Sequence, residues 1–421
     1  MKIKTKSMDY DAVMALPSAK KCKPLKISMF FRVLLYLLCC WELMSTKFRL
    51  TKIGMEKLGK NEPCLYLMNH SAFMDMKIVC CMLFPKPFNI VTSNDVFVGM
   101  NPLIRLIGCI PAKKFIPDTK LVKDMVYCIR KLKSNVLMFP EAGYTLDGTA
   151  TTLPDSLGKF LKLLKAPVVM VRTHGVFDRD PLFNRTKMRK AKTCAEMEYL
   201  LSPEDIERYS VEELNDIIAK QFSFDNFKYQ QENEIVIDDP LRAEGLNRVL
   251  YKCPHCDYEG KMLGSGTTLK CLNCGKEYEL TEIGYLKALD GDTRFDHVPD
   301  WYSWERECVI KELDVGTYET DVEVDIAIVK DTKYLYKVGE GRLVHNSDGF
   351  HLTGCEQRLD YHQKPLASYS VNADYGWYEI GDLLTIGTTE LFYHCFPKNC
   401  GDVVTKMRLA AEELYKRNKD V

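Results

Sequence analysis

His70 and Asp75 stand five residues apart in the stretch NHSAFMD, directly after the apolar run CLYLM. On an ideal helix that spacing offsets two side chains by about 140°, so they do not share a face. They meet if His70 sits in a loop entering a helix and Asp75 sits in the first turns of that helix. Asp75 then accepts a hydrogen bond from Nδ1 and fixes the ring tautomer. Nε2 is left to take a proton from a hydroxyl. Taken alone, a loop histidine more often satisfies a buried backbone carbonyl, so the pair needs company before it means catalysis.

A second group is Cys253 and Cys256 in CPHC with Cys271 and Cys274 in CLNCG. Each Cys-x-x-Cys forms a knuckle that presents two thiolates, and two knuckles make a tetrahedral, four-sulfur zinc ribbon. Four protein thiolates close the coordination sphere, so the expected zinc is structural. His255, inside the first knuckle, reads as a passenger. The flanks carry no basic-aromatic stripe, which argues against nucleic acid as a partner.

The elements around these residues follow from apolar spacing. CLYLM (64–68), VLMF (136–139) and PVVMV (167–171) are short and apolar with polar, Gly or Pro borders, and read as buried strands. MKIVCCMLF (76–84) and KLVKDMVYCIRKL (120–132) have helical spacing, and the alternation predicts an α/β domain with a mixed sheet flanked by helices. Ser202-Pro203-Glu204 and Ser210-Val211-Glu212-Glu213 are helix starts, the second a capping box. Beyond residue 315, TDVEVDIAIV alternates with period two. KYLYKV, ASYSV, WYEI and ELFYHCF continue as short β-like runs. Val403, Val404, Met407, Ala410, Ala411 and Leu414 then fall on one face of a last helix. This order predicts an all-β module, barrel or sandwich, closed by a helix.

Four ordered blocks carry a resemblance. HxxxxD at 70–75, GCIPAKK at 108–114, FPEAGYT at 139–145 and APVVMV at 166–171 resemble the four blocks of the glycerolipid acyltransferase family, the 1-acylglycerol-3-phosphate acyltransferase type, over roughly residues 45 to 230. The resemblance implies that His70 is the general base on the acceptor hydroxyl and Asp75 its orienter. It implies that Glu141 and Gly143 shape the acceptor pocket and that Lys114 pairs with acceptor phosphate. It also implies acyl-CoA or acyl carrier protein as donor and a lysoglycerolipid as acceptor, in phospholipid biosynthesis. The third block departs from the family's Glu-Gly-Thr-Arg: Ala142 replaces the glycine, Gly143 follows it, and Tyr144 stands at the arginine position. Of the adjacent lysines, Lys114 has the matching spacing from Gly108, and Lys113 is expected to reach solvent or lipid head groups.

Composition sets the remaining bounds. The 421 residues carry 58 Lys+Arg and 58 Asp+Glu, 46% hydrophobic residues and 17 cysteines, an odd number scattered in apolar contexts. That usage suits reduced thiols rather than a disulfide framework. No signal-peptide pattern opens the sequence. Residues 1–50 hold ten Lys/Arg against three Asp/Glu, and Lys20, Lys21, Lys23 and Lys26 precede ISMFFRVLLYLLCCW (27–41). Arg32 interrupts this run and leaves nine uninterrupted apolar residues, well short of the ~20 that a span needs. The expectation is a helix in the membrane interface, on the cytoplasmic face, peripheral or monotopic. The expected division is 1–46 interfacial segment, 47–245 acyltransferase domain, 246–285 zinc ribbon and 286–421 β-rich module. Two other readings compete: a catalytically degenerate acyltransferase fold that binds lipid or protein, and a zinc-ribbon scaffold that uses its β module for protein contacts.

Overall fold

The computed structural model describes residues 2–20, 22–184, 188–398 and 403–419, so Lys21 of the expected basic collar lies outside the described residues. Three short apolar runs become the centre of a seven-stranded sheet. In spatial order its strands are Arg49–Ile53, Cys194–Leu201, Val168–His174, Leu65–Met68, Asn135–Met138, Phe88–Ser93 and Cys109–Ala112. Five of them, from Val168–His174 to Cys109–Ala112, run parallel. Cys194–Leu201 pairs antiparallel to Val168–His174 and parallel to Arg49–Ile53, which makes the sheet mixed. Leu65–Met68 is buried at all four positions. That is why it shows no period-two alternation: both faces are covered. One face packs on the helices Met29–Ser45 and Met74–Met82, and the other on Leu157–Leu164 and Val211–Gln221.

Both serine helix starts are present. Ser202 and Ser210 each accept from the backbone N–H three residues on, and Asp205 and Glu213 return the bond to the cap backbone.

The ribbon is a four-stranded sheet in the order Leu286–Ala288, Glu277–Leu280, Thr268–Cys271, Met262–Ser265. It continues three residues past 285 because Leu286–Ala288 pairs along Glu277–Leu280. It shares one core with the helix Val298–Asp314, with the strands beyond residue 320 and with Leu146, Phe177 and Phe227 of the first domain.

The C-terminal module is an antiparallel sheet ordered Leu359–Gln363, Gly349–Gly354, Leu335–Asn346, Thr320–Ile328, Phe392–Pro397, Gly381–Gly387, Asn372–Trp377, with the helix Val403–Lys419 against it. Its pairing path has two ends, so hydrogen bonds do not close it into a barrel. Two readings shift here. ASYSV lies wholly ahead of the strand Asn372–Trp377, and WYEI is largely a turn in which Tyr378 and Glu379 take φ of 47° and 64°. The closing helix buries not only its apolar stripe but also Arg408, Glu412 and Glu413, because Val298–Asp314 covers its second side and Arg306 pairs with both glutamates.

The first residues behave differently from the expected interfacial segment. Thr5–Ser7 adds to the C-terminal sheet, parallel to Leu335–Lys337, and Tyr10 and Val13 enter the large core. Asp9 and Asp11 pair with Arg358. The helix Met29–Ser45 does present an apolar face outward. Phe30, Leu37, Leu38, Trp41 and Met44 are all exposed, Trp41 by 78%. No helix among the described residues is long and apolar enough to cross a membrane.

Candidate active site

In open parallel sheets, ligands bind outside the carboxyl ends of the strands. His70 follows the strand Leu65–Met68, Glu141 follows Asn135–Met138, and Lys114 follows Cys109–Ala112. Three of the four blocks therefore deliver their polar residue to one rim, although 71 residues separate His70 from Glu141 in the chain.

The loop 69–73 turns directly into the helix Met74–Met82 and places Asp75 in its first turn. His70 Nδ1 lies 3.1 Å from Asp75 Oδ2. The same oxygen accepts from the backbone N–H groups of Ser71 (2.7 Å) and Ala72 (3.1 Å), and Thr173 Oγ1 lies 3.1 Å from Oδ1. Asp75 is fully buried. A carboxylate taken out of water at that depth needs several donors, and these four, with the helix N-terminus, supply them. Asp75 is thereby fixed as an acceptor. Nδ1 carries its proton toward Asp75, and Nε2 holds the lone pair.

The imidazole is also clamped by its surroundings. Phe139 stacks on it at 3.8 Å between ring centroids, and Tyr144 lies at 4.3 Å on a tilt. Burial among these rings pushes the His70 pKa below the ordinary histidine value, while the Asp75 hydrogen bond and charge pull the other way. The neutral form is favoured, which is the form a general base requires. The His70 side chain keeps 19% of its exposure, so the clamped ring still has an open edge.

Glu141 is inaccessible. Its Oε2 accepts from the His70 backbone N–H at 3.0 Å and its Oε1 from the Thr151 N–H at 2.9 Å. Its shaping effect on the site is therefore indirect: it ties the histidine loop to the third-block turn, helped by Thr145 N–H donating to the His70 carbonyl. Burial pushes its carboxyl up to about 8, against the two backbone donors. Gly143 is buried beside Phe115, with 3.5 Å between the Phe115 ring and the place where a Cβ would sit. Ala142 adopts φ 55°, a left-handed conformation that a glycine takes without strain.

Lys114 Nζ donates to Asn372 Oδ1 at 2.9 Å. Lys113 does not turn to open solvent as expected. It is half-buried, and its ammonium stands 5.9 Å from the Phe392 ring centroid. Both partners belong to the C-terminal sheet. Sequence reasoning missed that contact, and it missed Asn69 and Thr173. Asn69 Oδ1 accepts from Thr173 N–H at 2.8 Å, and its Nδ2 donates to Thr173 O at 3.1 Å, which locks the histidine loop to the neighbouring strand. A polar Asn at the end of a wholly apolar strand was the available signal.

The four cysteines converge. Their sulfurs all lie within 4.8 Å of one another, with Cys253–Cys274 and Cys256–Cys271 at 3.8 Å. A tetrahedron with metal–sulfur bonds of about 2.3 Å has sulfur–sulfur edges of about 3.8 Å, so the set fits a four-thiolate metal. His255 is exposed and outside the group.

The family model described as Acyltransferase matches residues 49–174. Among solved structures, the chain is similar to the 1-acyl-sn-glycerophosphate (LPA) acyltransferase, PlsC, from Thermotoga maritima. The identity is 15% over 46% of this chain and 80% of that one, with a TM-score of 0.35. A search of curated proteins gave no match.

Proposed function

We propose, from the match of residues 49–174 to the Acyltransferase family model, that the protein transfers a fatty acyl group from acyl-CoA or acyl carrier protein to the hydroxyl of a lysoglycerolipid such as 1-acylglycerol-3-phosphate. The observation that carries this reading is the His70–Asp75 pair: a buried, multiply bonded carboxylate on Nδ1 and a neutral ring whose Nε2 has no hydrogen-bond partner among the described residues.

Nε2 takes the acceptor's hydroxyl proton as that oxygen attacks the thioester carbon. The tetrahedral intermediate collapses with cleavage of the carbon–sulfur bond, and the leaving thiolate takes the proton back from Nε2. The products are an ester and a free thiol, with no acyl-enzyme. Asp75 holds the tautomer and the charge of the transient imidazolium. Glu141 keeps the His70 loop in place, and Lys114 offers positive charge to the acceptor head group.

The exposed face of Met29–Ser45 favours a lipid surface as the workplace. Phe73, 52% exposed, sits three residues from His70. Leu103 and Leu106 are exposed near Arg105, which bonds the Lys23 carbonyl. An apolar surface beside basic residues suits an anionic membrane face. In the ribbon we propose a structural zinc.

Purified full-length protein, labelled acyl-CoA and a panel of lysolipids test the reading. Transfer to at least one lysolipid, lost in His70→Ala, supports it. Absence of transfer to every lysolipid, or full activity in His70→Ala, overturns it.

A further inference from the structure

The catalytic rim is roofed by the C-terminal sheet, and beside the Phe115–Tyr369 ring contact the seam carries a line of polar contacts. Lys114 Nζ bonds Asn372 Oδ1 at 2.9 Å, and Asn372 Nδ2 bonds Thr385 Oγ1 at 3.2 Å. Thr385 Oγ1 lies 3.1 Å from His394 Nδ1. Beside this chain, Tyr378 OH donates to Asp95 Oδ2 at 2.9 Å and Ser368 Oγ to the Phe115 carbonyl at 3.2 Å. Asn372, Thr385 and His394 are all buried. Apolar side chains would be a cheaper way only to hold two modules together, because Asn372, Thr385 and His394 are desolvated here.

The charges decide what the seam is for. Arg408, on the helix Val403–Lys419, also reaches this region, 6.0 Å from the Phe115 ring, but Glu412 holds it at 3.1 Å. Lys114 is held instead by a carboxamide, which accepts one of three N–H bonds and cancels none of the charge. Its field reaches both His70 and His394. His394 is kept neutral by burial, so it does not repel the lysine. A half-buried cation, positioned by a neutral partner beside a base, is the arrangement an anion needs.

We infer that the C-terminal sheet completes the acceptor site, with Asn372 as the residue that positions Lys114 to receive a phosphate monoester on the acceptor. This rests on the acyltransferase reading and deepens it. Asn372 is a positioning residue, distinct from the groups that touch the reacting atoms.

The test uses full-length protein with acyl-CoA and two acceptors, lysophosphatidate and 1-monoacylglycerol. Donor-free binding of short-chain lysophosphatidate is measured alongside by calorimetry. Asn372→Asp places a carboxylate on Lys114 and should raise KM for lysophosphatidate, and weaken its binding, by about tenfold or more. KM for acyl-CoA and for the neutral acceptor should hold. Asn372→Ala leaves the charge but removes the aim, and should give a smaller effect of the same selectivity; it also serves if Asn372→Asp does not fold. A uniform loss across both acceptors, or no change in either variant, overturns the inference while leaving acyl transfer intact. Variant-sensitive lysophosphatidate binding by a wild type that acylates nothing keeps the anion site and overturns the reaction. Wild type that neither binds nor acylates lysophosphatidate overturns the inference too.

Discussion

At His70, burial between Phe139 and Tyr144 holds the ring neutral below the pH at which a free histidine charges. The acid limb of kcat/KM is therefore expected below about pH 6.5, since a lowered pKa keeps the base form available to lower pH. A pH–rate profile with its acid limb above that value would mean that Asp75, not burial, dominates the ring. Asp75→Asn should lower kcat by a hundredfold or more, because an amide can present its NH₂ to Nδ1 and favour the wrong tautomer. Ala142 offers a separate test. Alanine in the left-handed region costs about 1–2 kcal/mol, while glycine costs about 0.5–1 kcal/mol more unfolded-state entropy. Ala142→Gly is thus expected to be neutral or stabilising by up to ~1 kcal/mol in chemical denaturation. A destabilisation of that size would show that the turn relaxes away from φ 55°.

The helix Met29–Ser45 carries the prediction at the next scale. Trp41 and Leu37 point outward, while Cys39 and Leu43 face the core. Leu37→Asp with Trp41→Asp should leave the melting temperature nearly unchanged and reduce flotation with anionic vesicles severely; wild-type flotation should weaken with salt. Unchanged flotation would remove this helix from the membrane contact. Elements of this kind were legible because their apolar spacing is a local property. So were CLYLM, VLMF and PVVMV, whose burial on both faces shows as unbroken apolar runs. The histidine–aspartate geometry was legible as well, since a loop-to-helix junction was the only way to join residues five apart. The seam at Asn372 was not. VNADYGW mixes polar and apolar residues because its strand is buried under a polar contact with a module more than two hundred residues earlier. No local pattern encodes a partner that distant. The first strand failed for the same reason: Thr5–Ser7 is a strand only because Leu335–Lys337 lies beside it.

Over the whole molecule, the ribbon is a shared wall rather than an appendage. Trp301 Nε1 donates to the Lys252 carbonyl, Tyr278 packs edge-on to Trp301, and the core runs from Phe177 through the ribbon to the last helix. Elemental analysis should give about one zinc per chain. Cys271→Ser or chelation should lower the stability of the entire chain without changing which acceptors are used. A folded, metal-free protein of unchanged stability would end the ribbon reading. Acid stability follows from two opposed sets of buried groups. His345 and His394, lowered to about 3 and about 4 by burial, lose stability as pH falls below the unfolded value of ~6.5, because the unfolded chain then binds more protons. Glu141 and Asp178, raised to about 8 and about 7, gain stability as pH falls toward ~4.5 and ~3.8, where their unfolded counterparts protonate. The sets offset above about pH 4.5. Below it Glu141 gains nothing more, Asp178 follows near ~3.8, and Glu412, which burial raises but Arg306 and Arg408 lower to about 2, starts to lose its share. Denaturation midpoints should fall steeply below about pH 4.5, where Glu412 protonates in the unfolded chain; midpoints that hold to about pH 3 would mean that its two arginines do not keep it ionised.

The strand Thr5–Ser7 also sets a timetable. Its hydrogen-bond partner begins at Leu335, 328 positions later (335 − 7). At about 5–20 residues per second of synthesis, the opening strand waits roughly 15 to 65 seconds with no ladder to join. In that interval Lys2, Lys4 and Lys6 alternate with Ile3, Thr5 and Ser7. Alternate lysines are what a lone strand needs to repel its own copies. The strand Thr5–Ser7 thus waits as a charged tether until the module that roofs the catalytic rim has itself been made.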